Sequence, residues 1–249
     1  MSLDRYRTAV VTGASRGIGA ATVRQLRISG VEVYAVARSA DDLTALAGET
    51  GCRPLALDIS HRDAVLSALG SLDADILVNN ASAFARSTAS WETSPDDIDA
   101  LMDVNLRGTL NCLAALIPGM KARGLGHVVN LSSISGTWPV PGMPAYSMTK
   151  AALHNLSQTL RLDLHGTGVR VSEIAPGRVE TGAHLAMVDD REEGRRRFYE
   201  GYECLLAEDI AEAIMFVLGS PQRMDVTFME IAPTDQSYGG SQFHRRGDR

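Results

Sequence analysis

A chain of 249 residues, 45% of them hydrophobic and 22% charged, is long enough to form one large domain with a sizeable core. Its formal net charge of −6 argues against a nucleic-acid partner, which requires clustered positive charge. The three cysteines have no CxxC spacing, which argues against a disulfide framework or a metal site, and no apolar stretch suits a secretion signal or a membrane span, so we expect a cytoplasmic protein.

Apolar runs of strand length alternate with amphipathic stretches of helical periodicity along the chain. The predicted strands span residues 8–12, 31–37, 54–57, 76–79, 127–131, 169–174 and 226–231. The clearest predicted helices span residues 18–28, 96–120, 151–165 and 208–218. Near-continuous apolar strands separated by helices are typical of a parallel sheet that is covered on both faces. We therefore predict an α/β fold, with residues 1–249 forming one domain.

Two segments interrupt this alternation. Residues 182–204 are polar and include three consecutive arginines, which we interpret as a mobile substrate lid or a solvated helical face. Residues 237–249 form a tail with glycine and arginine, interpreted as a subunit contact or a frayed end.

A glycine-rich turn follows the first predicted strand and opens the first helix. Gly13, Gly17 and Gly19 stand in the pattern TGxxxGxG. Glycine permits the tight turn and the close approach of the backbone to a pyrophosphate, while the helix N-terminus offers free N–H groups to the anion. A plain strand-to-helix turn is the alternative, but the strand–helix context favours a nucleotide site.

This glycine spacing resembles that of the short-chain dehydrogenase/reductase superfamily, and the resemblance extends through nearly the whole chain. It implies a Rossmann-like doubly wound sheet of seven mostly parallel strands. It also implies a hydride-transferring enzyme that assembles as a homotetramer or homodimer through the helices carrying Asn105 and Tyr146. The stretch from residue 208 to residue 236 resembles bacterial 3-hydroxy acid (serine) dehydrogenases and clavaldehyde-type reductases.

The end of the second strand predicts the form of the cofactor. Ala37 stands where NAD-selective relatives carry an acidic residue for the ribose 2′-hydroxyl. Arg38 and Arg16 can approach a 2′-phosphate with planar, permanently charged groups, although either alone would be an ordinary surface residue. We therefore predict NADP(H), with NAD(H) as the alternative. By resemblance, Asp58 accepts from the adenine amino group, although it could equally belong to a helix N-terminus.

The loop after the fourth strand and the helix behind it carry two further motifs. Asn80 and Ala81 belong to a segment that resembles the family's NNAG loop beside the nicotinamide, but Ser82 replaces its glycine. If that backbone needs a positive φ or a very close approach to the cofactor, the substitution is unfavourable, and a shifted loop is the alternative. Asn105 matches the asparagine that completes the family's catalytic tetrad and holds a water linked to the lysine.

Tyr146 and Lys150 carry the strongest chemical signal. Four residues apart on a helix, a phenol and an ammonium lie side by side, and the ammonium is expected to lower the pKa of the phenol toward working pH. Lys150 is one of only two lysines among 24 basic residues, the other being Lys121. Family spacing selects Ser133, rather than Ser132 or Ser135, to hold the substrate oxygen.

The resemblance therefore predicts a complete site. The catalytic set comprises Asn105, Ser133, Tyr146 and Lys150. The cofactor set comprises Gly13, Ser15, Arg16, Gly17, Ile18, Gly19, Arg38, Ser39, Asp58, Ile59, Asn80, Ala81, Tyr146, Lys150, Pro176, Gly177, Val179 and Thr181. Substrate contacts are expected from Phe84, Arg86, residues 138–143 and residues 184–202, with Arg178 or an arginine of the lid as a candidate carboxylate ligand.

The predicted reaction is a reversible hydride transfer between the nicotinamide and a small carbonyl or secondary alcohol substrate, with Tyr146 as general acid and base. The alternatives are an NAD(H)-dependent dehydrogenase of the same fold and a catalytically silent NADP-binding sensor. The intact set of four catalytic residues argues against the sensor.

Overall fold

The computed structural model describes residues 3–240 and 242–245, so parts of the predicted tail at residues 241 and 246–249 lie outside the described residues. Seven strands form one sheet in the order β3-β2-β1-β4-β5-β6-β7, and every neighbouring pair is parallel. The strands are β1 (Thr8–Thr12), β2 (Glu32–Ala37), β3 (Arg53–Ala56), β4 (Ile76–Asn79), β5 (Gly126–Leu131), β6 (Val169–Pro176) and β7 (Phe228–Ile231). The predicted α/β doubly wound fold is confirmed.

Helices cover both faces of the sheet, and each face has its own apolar core. They are α1 (Gly17–Ile28), α2 (Ala40–Thr50), α3 (Arg62–Leu69), α4 (Pro95–Leu101), α5 (Thr109–Arg123), α6 (Pro144–Asp163), α7 (Arg191–Phe198) and α8 (Ala207–Gly219). None of the helices within the described ranges is both long and apolar enough to cross a membrane.

Two helical predictions need correction, and the polar segment 182–204 contains a helix, as one of its two interpretations expected. The predicted helix 96–120 contains a π-helical segment, Met102–Gly108, between α4 and α5. The predicted helix 151–165 begins earlier, because Pro144 suits the first turn of α6 and so adds Tyr146 and Lys150 to the helix. The polar segment 182–204 contains a 3₁₀ turn and α7, whose first turn is capped by Asp190.

The strand order reverses between β1 and β4. To one side of β1 the chain adds β2 and β3, and to the other it adds β4 to β7. In open α/β sheets the loops at the carboxyl ends of strands separate at such a point and leave a crevice. The predicted glycine loop follows β1, and the loop with Ser82 follows β4, so both lie at this crevice.

Candidate active site

A cleft of about 740 Å³ opens at the carboxyl ends of the central strands. It brings together most of the predicted cofactor residues, namely Gly13, Ser15, Arg16, Gly17, Ile18, Arg38, Ser39, Asp58, Ile59, Asn80, Ala81, Pro176, Gly177, Val179 and Thr181. Ser133, Tyr146 and Lys150 line the same cleft. Gly19 and Asn105 do not line it, and both lie behind residues that do.

The glycine loop has a shape that side chains would prevent. Gly13 has a φ of +65°, and a Cβ atom built there would lie 2.7 Å from the Cα of Ala81. A Cβ atom on Gly19 would collide with the carbonyl oxygen of Gly13. Among the described residues no side chain caps the start of α1, so its first N–H groups remain available to an anion in the cleft. This cradle fits the pyrophosphate of a dinucleotide.

The far end of the cleft is lined by both predicted arginines, Arg16 and Arg38. Sequence reasoning missed Asp42, which also lines this end and lies in the first turn of α2. Burial acts to raise the pKa of Asp58, but hydrogen bonds from the amide and hydroxyl of Ser60 and the charge of Arg38 lower it overall. Asp58 therefore stabilises its own turn as well as lining the cleft.

Tyr146 lies buried at the inner end of the cleft, with its ring stacked on that of Phe84 at 4.6 Å between centroids. Burial raises the pKa of the Tyr146 phenol to about 12, and hydrogen bonds from Ser133 and Ser82 act in the opposite direction. The Lys150 ammonium lies 5.6 Å from the ring centroid and donates to the carbonyl oxygen of Leu131 at 2.9 Å.

The pKa of Tyr146 does not follow the expected direction. Burial is the largest influence on the phenol, and its pKa lies above its ordinary value rather than below it. Burial also lowers the pKa of Lys150 to about 8, although the Glu173 carboxylate raises it. The sequence spacing is real, but it could not indicate how deeply both groups are buried.

Ser133 lies in the turn between β5 and α6. Its side-chain oxygen accepts hydrogen bonds from the amide of Ser135 at 3.2 Å and the hydroxyl of Ser135 at 3.0 Å. The alternative, Ser132, points its hydroxyl toward the carbonyl oxygen of Ile174 at 3.4 Å. Of these two serines, it is Ser133 whose hydroxyl acts to lower the pKa of the Tyr146 phenol.

Asn105 lies in the π-helical segment, behind the cleft and almost fully buried. Its side-chain oxygen accepts from the amide of Ala83 at 2.7 Å, and its amide nitrogen donates to the hydroxyl of Thr149 at 3.0 Å. Its carbonyl oxygen accepts from the hydroxyl of Thr109 at 2.9 Å. Asn105 thus ties the loop after β4 to the helix that carries Tyr146.

The substrate side of the cleft differs in part from expectation. Phe84, Met143 and His184 line it, as predicted. Arg86 does not, because it pairs with Asp189 at a separate cavity. Trp138 is also absent, since its indole nitrogen donates to Glu230 at 3.0 Å. Several other lining residues were not among the predicted site residues, for example Val104, Gln236 and Gly240.

Comparisons with known proteins agree in family. The sequence profile of the short chain dehydrogenase family matches residues 7–192. A serine 3-dehydrogenase of Agrobacterium fabrum is 37% identical over 96% of this chain and 98% of its own length. An NADP-dependent 3-hydroxy acid dehydrogenase of Salmonella typhi is 36% identical over 95% of this chain and 98% of its own length.

Solved structures indicate the same family. The closed form of a serine dehydrogenase complexed with NADP⁺ superposes with a TM-score of 0.90 at 34% identity, covering 96% of this chain and 100% of that one. A metagenomic short-chain oxidoreductase in complex with NADP superposes with a TM-score of 0.77 at 31% identity, covering 92% and 97% of the two chains.

Proposed function

The chain belongs to the short-chain dehydrogenase family of oxidoreductases, and from that premise we propose that it is an NADP(H)-dependent enzyme that interconverts a ketone and a secondary alcohol. The observation that carries this proposal is that Tyr146 and Ser133 line one cleft, which the glycine loop also borders. The Ser133 hydroxyl acts there to lower the pKa of the Tyr146 phenol.

The choice of NADP(H) rests on the residues at the far end of the cleft. Ala37 leaves no carboxylate at the end of β2 to repel a 2′-phosphate, and Arg16 and Arg38 supply two guanidinium groups for it. Three of the similar proteins described above have NADP in the name or description that they carry. When bound, the cofactor supplies or accepts the hydride.

The chain's own residues position the substrate and move one proton. In the reducing direction, the Ser133 hydroxyl donates a hydrogen bond to the carbonyl oxygen, and Tyr146 gives its phenolic proton to that oxygen as the alcohol forms. In the oxidising direction Tyr146 takes the proton back. The pKa of about 12 favours the protonated phenol, so the protein by itself is prepared as a proton donor. Lys150 places a positive charge beside the phenolate that remains.

We assign 3-hydroxy acids and their 3-oxo counterparts as the substrate class. The serine 3-dehydrogenase and the 3-hydroxy acid dehydrogenase are both named for this chemistry. Arg178 lines the cleft, and its side-chain Nη1 has no hydrogen-bond partner among the described residues. A guanidinium with a free donor suits a substrate carboxylate.

The test compares 3-hydroxy acids with their neutral methyl esters as substrates, using NADP⁺ and the wild-type and Arg178→Gln enzymes. We expect the wild type to oxidise the acids with the higher kcat/KM. Arg178→Gln should lose about 10- to 100-fold on the acids and little on the esters, because one charge-assisted interaction is worth roughly 1.5–3 kcal/mol. Equal losses on both substrates, or no oxidation of any 3-hydroxy acid, would contradict the assigned class.

A further inference from the structure

Ser82 lies in the loop after β4 and lines the cleft beside Tyr146. Its backbone is unstrained, because no described residue other than glycine has a positive φ. The backbone strain that a positive φ would have caused at this serine is therefore not present. The side chain is free to serve a purpose that a glycine could not.

The Ser82 hydroxyl joins two parts of the site. Its oxygen lies 3.3 Å from the side-chain oxygen of Asn105 and 3.3 Å from the carbonyl oxygen of Ala83. The same hydroxyl lines the cleft with Tyr146 and acts to lower the pKa of its phenol. Because Asn105 in turn donates to Thr149, hydrogen bonds connect Ser82 through Asn105 to α6, the helix that carries Tyr146.

A count of donors indicates why a second hydroxyl matters. Ser133 already accepts two hydrogen bonds from Ser135, and its hydroxyl has a single proton to donate. That proton can serve either the Tyr146 oxygen or a substrate oxygen, but it cannot serve both well. Without another donor, formation of the phenolate would compete with the substrate for Ser133.

On the basis of the proposed function, we infer that Ser82 is a positioning residue whose hydroxyl serves the Tyr146 oxygen and so leaves the Ser133 proton for the substrate oxygen. While Tyr146 is protonated, its phenol donates to the Ser82 oxygen, and the Ser82 hydroxyl donates to Asn105. After Tyr146 has given its proton to the substrate oxygen, the Ser82 hydroxyl rotates and donates to the phenolate. Asn105 keeps its bond from the amide of Ala83 throughout. No proton leaves Ser82, and the transferred proton passes only from Tyr146 to substrate.

The first test follows kcat/KM for alcohol oxidation against pH in the wild type, Ser82→Gly, Ser82→Ala and Ser82→Thr. Oxidation needs the phenolate, so the rising limb of the profile reports the pKa of Tyr146. Loss of one donor to the phenolate should move this limb to higher pH by about one unit in the glycine and alanine variants. At a fixed pH below the limb, this shift corresponds to a fall in kcat/KM of about tenfold. Ser82→Thr restores a hydroxyl and should return the limb to the wild-type position.

The matched control is Ser87→Gly, which introduces the same residue into the same loop but at the border of a different cavity. It should leave the limb where it is in the wild type. If Ser82→Gly and Ser87→Gly give the same profile, or if Ser82→Thr fails to restore it, the inference is wrong.

The second test needs neither substrate nor cofactor and so separates this inference from the proposed function. A fluorinated tyrosine, whose phenol is more acidic, is incorporated at position 146 and titrated by fluorine NMR. We expect the Ser82→Gly substitution to raise the pKa of this residue by about one unit, with no change from Ser87→Gly. An unchanged pKa would overturn the role of Ser82 even in an active enzyme. A raised pKa in a protein that transfers no hydride would instead contradict the proposed function alone.

Discussion

Arg38 and Arg16 are single residues on which the choice of cofactor depends. Both line the end of the cleft that lies beyond the glycine loop, and Arg38 lies close enough to Asp58 to lower the pKa of that carboxyl. Planar guanidinium groups can form paired hydrogen bonds with phosphate oxygens. A 2′-phosphate would therefore gain charge-assisted hydrogen bonds from them, although Asp42 and Asp58 line the same end, while a 2′-hydroxyl would gain little.

The expected effect of Arg38→Ala is a fall in the preference for NADPH over NADH of about 10- to 100-fold, because a charge-assisted hydrogen bond is worth roughly 1.5–3 kcal/mol. The measurement is the ratio of the two dissociation constants by calorimetric titration. Arg62→Ala, which removes an exposed arginine at the start of α3, is the control. A ratio that does not change in Arg38→Ala would show that another residue selects the cofactor.

At the scale of elements, the turn that carries Ser133 packs directly against the helix that carries Tyr146. Gly136 makes this contact possible, since a Cβ atom there would lie 2.7 Å from the carbonyl oxygen of Lys150. Backbone atoms on both sides cannot yield as a flexible side chain would. The close packing of the Ser133 turn against α6 therefore depends on a residue without a side chain at position 136.

We expect Gly136→Ala to destabilise the protein by about 1–3 kcal/mol, because the added methyl group overpacks this junction. It should also lower kcat/KM, because the Ser133 turn moves away from Tyr146. The control is Gly48→Ala in α2, where a Cβ atom meets nothing within 4 Å and the change should stabilise by up to about 1 kcal/mol. Urea unfolding measures the stability of both variants. Equal stability of the two variants would contradict the packing argument.

The segment 182–204 has an acid-sensitive contact. Burial, together with a smaller effect from the nearby charge of Arg178, lowers the pKa of His184 to about 3. The other groups that face His184 are the Tyr199 hydroxyl, 3.3 Å from Nδ1, and the rings of Phe84 and Phe198. No carboxylate therefore appears among the groups that face it in the described part of the chain.

His184 is neutral while the segment 182–204 is packed as in the structure, and it would be protonated near pH 6.5 if the segment unfolded locally. The free energy that holds the segment in place is therefore fully present above pH 6.5. It decreases by about 1.4 kcal/mol per pH unit as the pH falls toward 3. Amide exchange of residues 185–199, corrected for intrinsic rates, should therefore lose protection between pH 7 and pH 5. His184→Phe, which cannot titrate, should show no such loss. Constant protection in the wild type would contradict this account.

At the scale of the whole molecule, exposed apolar side chains mark the outer surfaces of α5 and α6. Leu110, Met148 and Leu162 are 48%, 58% and 78% exposed. Such surfaces are typical of a subunit contact, in keeping with the homotetramer or homodimer that the sequence resemblance predicts.

Light scattering after size exclusion should therefore give the mass of four or two chains for the wild type. Leu162→Glu should reduce the mass, because it places a charge within the apolar surface. Ile28→Glu, at an equally exposed position on α1, is the control and should leave the mass unchanged. A wild-type monomer would contradict the predicted assembly.

The sequence predicted the sheet well because its central strands, such as β4, β5 and β6, are buried on both faces and so form continuous apolar runs. The π-helical segment around Asn105 could not be predicted, since it follows from how that helix packs against the loop after β4 and has no local pattern. Nor could the raised pKa of Tyr146, which depends on burial by distant residues. Arg86 and Trp138 were misplaced because an ion pair and a hydrogen bond to partners far along the chain draw them away from the cleft.

The most direct test of the central claim is transfer of deuterium from NADPH labelled at nicotinamide C4 to the carbonyl carbon of a 3-oxo acid. For the wild type we expect one deuterium in the hydroxy acid product for each NADPH consumed. Tyr146→Phe should bind NADPH with the wild-type dissociation constant and transfer deuterium at least about 100-fold more slowly, because the proton donor is missing. NADPH binding without any transfer in the wild type, or transfer at the full rate in Tyr146→Phe, would contradict the account.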